Sequence, residues 1–160
     1  MQEDLRGAAV SAALAGALLL NPMSADASAT HKPKHHAVQK DESNLVAKVI
    51  AGESAGEGYT GMKAVACVIQ NRGGKPIDVV KKPHQFSVIS NHKVMNANYA
   101  KVKKDADELA SQIGKLDDIT DGATYYMTKE VYDTKMAMKQ SWVKSKKYIK
   151  QIGNHVFLKD

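Results

Sequence analysis

The reading of this chain turns on residues 44–72, NLVAKVIAGESAGEGYTGMKAVACVIQNR. Val46, Val49, Ile50 and Glu53 recur at helical spacing, so the Glu53 carboxyl projects from the same face as the aliphatic side chains. Gly52, Gly56, Gly58 and Gly61 interrupt that period and predict a tight turn holding two carboxylates, Glu53 and Glu57. A second helix follows, with Met62, Val65, Ala66 and Ile69 on one face and Gly73-Gly74 closing it. A carboxyl at the end of an apolar stripe is costly to ionise, which raises its pKa and suits it to give up a proton at neutral pH. Glu53 is therefore the candidate general acid. The competing reading makes it a charge at the start of the second helix.

Towards the N-terminus, Ala8 to Leu20 is a run of small and aliphatic residues, the length of a signal h-region and short for a membrane span. Ala27-Ser28-Ala29 offers a small-residue cleavage site, so residues 1–29 read as a signal peptide. The start, Gln2-Glu3-Asp4-Leu5-Arg6, lacks the usual positive charge, and an apolar N-terminal segment that is retained is the alternative. Residues 30–42 read as a polar linker, and Ser43 or Asp41 as the N-cap of the first helix. The linker histidines His31, His35 and His36 have no cysteine or carboxylate cluster beside them and read as solvated.

Towards the C-terminus, Pro76 to Val80 predicts one helical turn and Lys81 to Ser90 an irregular loop. Tyr99, Val102, Ala106, Leu109 and Ile113 form the stripe of a helix over residues 96–115. Asp117-Asp118 and Asp121-Gly122 are turn material without calcium-loop spacing. Thr124 to Met127 is strand-like, and residues 148–158 read as a β-hairpin turning at Gly153-Asn154. The fold class is α+β, a helical core with a small antiparallel sheet, and residues 43–160 form the functional domain.

The net charge is +6. Residues 1–29 hold one base, Arg6, and three acids, Glu3, Asp4 and Asp26, so the remainder carries +8. That balance suits an anionic partner, with Lys144, Lys146, Lys147 and Lys150 as a solvated basic face. Arg6 and Arg72 are the only arginines, which speaks against nucleic acid. The lone Cys67 lies in an apolar run and reads as a buried structural thiol. Neither a metal nor an organic cofactor is implied.

With these pieces placed, the chain resembles the SleB-like cell wall hydrolases. The resemblance rests on Gly52-Glu53-Ser54-Ala55-Gly56-Glu57, Tyr59, Gly61, Ala64-Val65-Ala66, Asn71-Arg72, Gln85-Phe86-Ser87, Ala123 to Tyr126, Ser141-Trp142 and Ile152 to Phe157. Ala55 stands where the family often has arginine, and residues 91–115 and 131–140 match poorly. The resemblance implies a lysozyme-like fold and a lytic transglycosylase that cuts peptidoglycan between N-acetylmuramic acid and N-acetylglucosamine. Its one catalytic glutamate corresponds to Glu53, with Glu57 as a loop-fixing carboxylate or lesser assistant. Ser54, Gln85, Ser87, Tyr125, Tyr126 and Trp142 are the expected substrate contacts, Phe86 a core residue and His155 a structural hydrogen-bonder. A muramidase using Glu57 or Asp121 to position water, and a non-enzymatic wall-binding module, are the alternatives. The implied partners are peptidoglycan glycan strands and anionic wall polymers. The implied form is an exported monomer, or a phage protein acting on a host wall.

Overall fold

The computed structural model describes residues 35–160. The expected signal peptide and its cleavage site lie outside the described residues. Helix α1 runs His35–Ser54 and passes through a 3₁₀ turn, Ala55–Glu57, into α2, Gly58–Asn71. Next come α3 (Pro76–Lys81), a 3₁₀ turn at Ser87–Ser90 and α4 (His92–Gln112). The chain ends with β1 (Tyr125–Thr128), α5 (Lys129–Ala137), α6 (Ser141–Lys144), β2 (Lys147–Ile152) and β3 (His155–Lys159). No helix among the described residues is long and apolar enough to cross a membrane.

Helix α1 is the central element. Ala47, Val49, Ile50 and Ala51 are fully buried, because α4, α2 and α3 pack around the helix. α4 answers with Met95 and with Tyr99, Ala106 and Leu109 of the expected stripe. Its backbone leaves helical geometry at Val102 (φ −125°, ψ 23°), so that side chain is only partly buried. The sheet is antiparallel in the order β1-β3-β2. As the middle strand, β3 is covered on both faces, and His155, Val156, Phe157 and Leu158 are all buried.

Several boundaries differ from the expected ones. α1 begins at His35, so the second half of the expected linker is helical and neither Ser43 nor Asp41 caps it. Gly52 and Gly61 lie inside helices, and only Gly56 and Gly58 fall at the turn. Both helices bury their apolar faces against neighbours, and that packing outweighs the glycine preference for coil. The expected solvated lysine face is divided: Lys146 pairs with Asp160 and Lys150 with Asp121, while Lys144 and Lys147 are exposed. Cys67 is buried, its thiol donating to the Asp117 carbonyl at 3.7 Å. Burial raises its pKa, as expected of a structural thiol.

The end of α2 organises the loop that leads to the sheet. The Gln70 side chain donates to the Leu116 carbonyl and accepts the N–H groups of Gly114 (2.8 Å) and Leu116 (3.0 Å). The Asn71 amide reaches Asp118, Thr120 and the Ala123 carbonyl. Asp118 in turn accepts the Thr120 N–H and hydroxyl and the Gly122 N–H. Burial alone would raise the Asp118 pKa, but these donors outweigh it and hold the carboxyl below its ordinary value. A depressed native pKa stabilises the fold above the unfolded value, and that contribution disappears as pH falls through the native one. Asp118→Asn, which cannot accept all these donors, is expected to cost about 1–3 kcal/mol at pH 7. In denaturant titrations the gap to wild type should shrink below the ordinary aspartate range; a gap independent of pH contradicts this account.

Candidate active site

Glu53 occupies the last turn of α1, half-buried, with its carboxylate turned towards the loop after α3. Oε1 accepts the Val88 N–H at 2.9 Å and the Ser87 hydroxyl at 3.3 Å. Oε2 accepts no hydrogen bond from a described residue. The setting is thus not the wholly apolar one read from the stripe. The aliphatic residues that share its period lie a turn or more back along α1, while the carboxyl itself meets polar donors at the edge of the core.

Two further groups close on it. The Tyr126 hydroxyl oxygen is buried and faces Glu53 without an aligned hydrogen bond. Burial first, and the Glu53 carboxylate second, push its pKa well above the ordinary phenol value, so it stays a donor. Arg72 approaches from the end of α2, its Nε donating to the Thr124 carbonyl at 2.7 Å and its guanidinium 5.1 Å from the centre of the Phe86 ring. Burial lowers the Arg72 pKa, offset in part by Tyr126, Tyr125 and Glu53. Arg72 Nη1, Thr124 Oγ1 and Tyr126 Oη are all buried without a partner. Unpaired buried polar atoms are rare, and those of Arg72 and Tyr126 lie near the Glu53 carboxylate.

The other expected contacts divide. Ser87 lies on Glu53, and Gln85 is exposed in the same loop. A cleft of about 250 Å³, lined by Lys81, Lys82, His84, Ser87 and Ser90, opens beside them. Ser54 is not a substrate contact: it is 3% exposed and its hydroxyl donates to the Ile50 carbonyl one turn back. Tyr125 and Tyr126 point to opposite faces of β1, so they do not form one wall. Tyr125 sits under the Lys146 ammonium, 4.6 Å from the ring centre. Trp142 stands apart on α6, its indole N–H on Gln140 and the Lys135 ammonium over its ring. Phe86 is core, as expected. Glu57 is turned to the β2–β3 turn, where Oε1 accepts the Asn154 N–H at 3.1 Å. Asp121 pairs with Lys150 at 2.5 Å.

Two participants were not singled out from the sequence. Val88 contributes a backbone N–H, which leaves no mark in a sequence. Arg72 did carry a signal, as the only arginine in residues 43–160.

The profile of the family described as Cell Wall Hydrolase matches residues 56–158. The chain belongs to this family. The spore cortex-lytic enzyme of Halalkalibacterium halodurans is 31% identical over 120 residues, 71% of this chain and 33% of that protein. The spore cortex-lytic enzyme of Bacillus cereus is 28% identical over 127 residues, 75% of this chain and 45% of that protein. The chain thus spans less than half the length of these curated relatives. The crystal structure of the catalytic domain of the Bacillus cereus SleB protein superposes with TM-score 0.57 at 28% identity, covering 75% of this chain and 91% of that domain. The catalytic domain of the germination-specific lytic transglycosylase SleB from Bacillus anthracis does so with TM-score 0.57 at 26% identity, covering 75% and 95%. The expected lysozyme-like α+β fold, helical with a small antiparallel sheet, is the one observed.

Gly52 faces the Val88 side chain. A Cβ there would come within 2.9 Å of Val88 Cγ1 and 3.1 Å of its Cβ. Alanine normally gains up to about 1 kcal/mol over glycine in a helix interior. Gly52→Ala should instead destabilise by roughly 1–3 kcal/mol, because the β-branched neighbour has no free rotamer to yield. It should also lower activity by pushing the Val88 N–H off Glu53. Gly52→Ala/Val88→Ala should recover both melting temperature and rate; a more stable single variant refutes the packing argument.

Proposed function

We propose that this domain cleaves the glycan strand of peptidoglycan between N-acetylmuramic acid and N-acetylglucosamine as a lytic transglycosylase, with Glu53 as the single acid–base. The observation that carries this reading is the arrangement at Glu53: one carboxyl with Oε1 anchored by two donors and Oε2 uncommitted. Membership of a cell wall hydrolase family, and likeness to a domain described as a lytic transglycosylase, support the reading.

In the first step Glu53, protonated, gives its proton to the glycosidic oxygen as the bond to the muramic anomeric carbon breaks. The leaving N-acetylglucosamine end departs with that proton. The Glu53 carboxylate then takes the proton of the muramic C6 hydroxyl, and that oxygen closes onto the anomeric carbon to give a 1,6-anhydro end. Glu53 ends protonated and no water is consumed. A second carboxylate is needed only for the hydrolytic routes, where it activates water or forms a glycosyl-enzyme. Asp121 and Glu57, the two alternatives, are engaged by Lys150 and by the β2–β3 turn. In this reading the Ser87 hydroxyl and Gln85 meet sugar hydroxyl and acetamido groups. The exposed Lys144 and Lys147 add attraction to anionic wall polymers. Such a substrate places the working protein outside the cytoplasmic membrane, at the wall.

Purified peptidoglycan digested with the protein should yield anhydro-muramic ends by mass spectrometry. Glu53→Gln should lose about 10²- to 10⁴-fold in rate while keeping its melting temperature within a few degrees. Reducing muramic ends in the wild-type digest would assign a muramidase. Binding to sacculi without cleavage would assign a wall-binding module.

A further inference from the structure

Glu57 lies four residues beyond Glu53 and looks, in sequence, like a second acid. Its surroundings give it other work. The side chain is 16% exposed. Oε1 accepts the Asn154 N–H at 3.1 Å and lies 2.9 Å from Nδ1 of His155, itself 7% exposed. Oε2 is buried without a partner, between Gly61 on α2 and Gly153 in the β2–β3 turn. A Cβ on Gly61 would come within 2.9 Å of Oε2, and one on Gly153 within 2.8 Å. A general base must reach the proton it removes, directly or through one water. Oε2, sealed between two glycines, lacks that reach, and Oε1 is engaged by Asn154 and His155.

The contact with His155 runs onward. At 2.9 Å, Nδ1 is in close polar contact with Oε1, with no aligned hydrogen bond between them. The His155 ring meets Tyr126 edge-on, centroids 5.3 Å apart at 76°. Tyr126 also stacks with Phe157 at 6.1 Å and 26°, and Phe157 in turn meets the His155 ring at 6.4 Å. The Tyr126 hydroxyl is buried near the Glu53 carboxylate, with no aligned hydrogen bond to it.

We propose that Glu57 and His155 are positioning residues: they clamp the β2–β3 turn to the start of α2 and so hold the Tyr126 hydroxyl against Glu53. This rests on the reading of Glu53 as the acid–base. Glu57 is then neither a second catalytic acid nor the group that positions water.

The test is a double-mutant cycle on peptidoglycan cleavage with Glu57→Gln and Tyr126→Phe. In Glu57→Gln the side-chain carbonyl still accepts the Asn154 N–H, but the charge facing His155 is gone. Each single variant should lower kcat on the order of tenfold, leave KM unchanged and keep the product type. The double variant should be no slower than Tyr126→Phe alone, since both changes act through one hydroxyl. A general loss of fold would not produce that non-additivity. If Glu57→Gln does not fold, His155 provides the same comparison. His155→Asn, whose amide nitrogen replaces Nδ1, should stay within about threefold of wild type and His155→Leu should fall about tenfold. Multiplying effects in the cycle, full activity in Tyr126→Phe, or equal loss in both His155 variants would overturn the clamp. So would reducing ends that vanish in Glu57→Gln. An active Glu53→Gln would instead overturn the acid–base reading, and the two failures are therefore distinct.

Discussion

The Val88 N–H donates to Glu53 Oε1 at 2.9 Å, and a loop with little regular structure of its own is thereby tied to the end of the central helix. A hydrogen bond to a charged acceptor contributes roughly 1.5–3 kcal/mol net. Its consequences spread in both directions. The Val88 side chain fills the hollow over Gly52, so the loop is held by packing as well as polarity. The same 3₁₀ turn delivers the chain to Asn91, whose side chain accepts the Val94 N–H and starts α4. Phe86, just before the turn, is buried beneath the Arg72 guanidinium.

A second consequence is a layered site. Phe86, Tyr126, Phe157 and His155 form a run of rings at centroid separations of 5.3 to 6.4 Å, with Arg72 over one end and Glu57 at the other. Ring packing fixes positions without satisfying polar atoms, and this is why Tyr126 Oη and Arg72 Nη1 are left unpaired beside Glu53. Donors fixed in advance around a reacting group need little rearrangement when charge moves, which is the usual basis of electrostatic catalysis.

Much of this was legible in residues 44–72, because an apolar period with a carboxyl on its face is a local pattern. The hairpin was legible for the same reason: Gly153, at φ +57°, supplies its turn. What escaped has non-local causes. α1 starts at His35 although residues 35–42 show no apolar period, so its N-terminal extent could not be read. Gly52 looked like a breaker because the need for space under Val88, 36 positions later, is invisible in the string. α5 has no buried residue and hence no apolar period, and its local marks are the Thr128 hydroxyl accepting the Val131 N–H and the charges of its first and last turns. Ser54 looked polar and available beside the acid, but helical geometry turns its hydroxyl to the Ile50 carbonyl.

The two glutamates of the first loop show how placement decides role when residue type does not. Each is held by a backbone N–H from a distant segment, Val88 for Glu53 and Asn154 for Glu57. For Glu53 the anchoring falls on Oε1 and leaves Oε2 oriented and uncommitted, the condition for handing a proton to a bound atom and later taking one back. For Glu57 one oxygen is buried between two glycines that give up side-chain volume, and the other accepts from the hairpin turn. A carboxylate so held gains nothing from meeting substrate, but it fixes the distance between α2 and the middle strand. Orientation within about an ångström governs whether such an acid works. On the proposed reading, in which one carboxyl acts twice in a turnover, a second carboxylate has more use in the scaffold than in the chemistry.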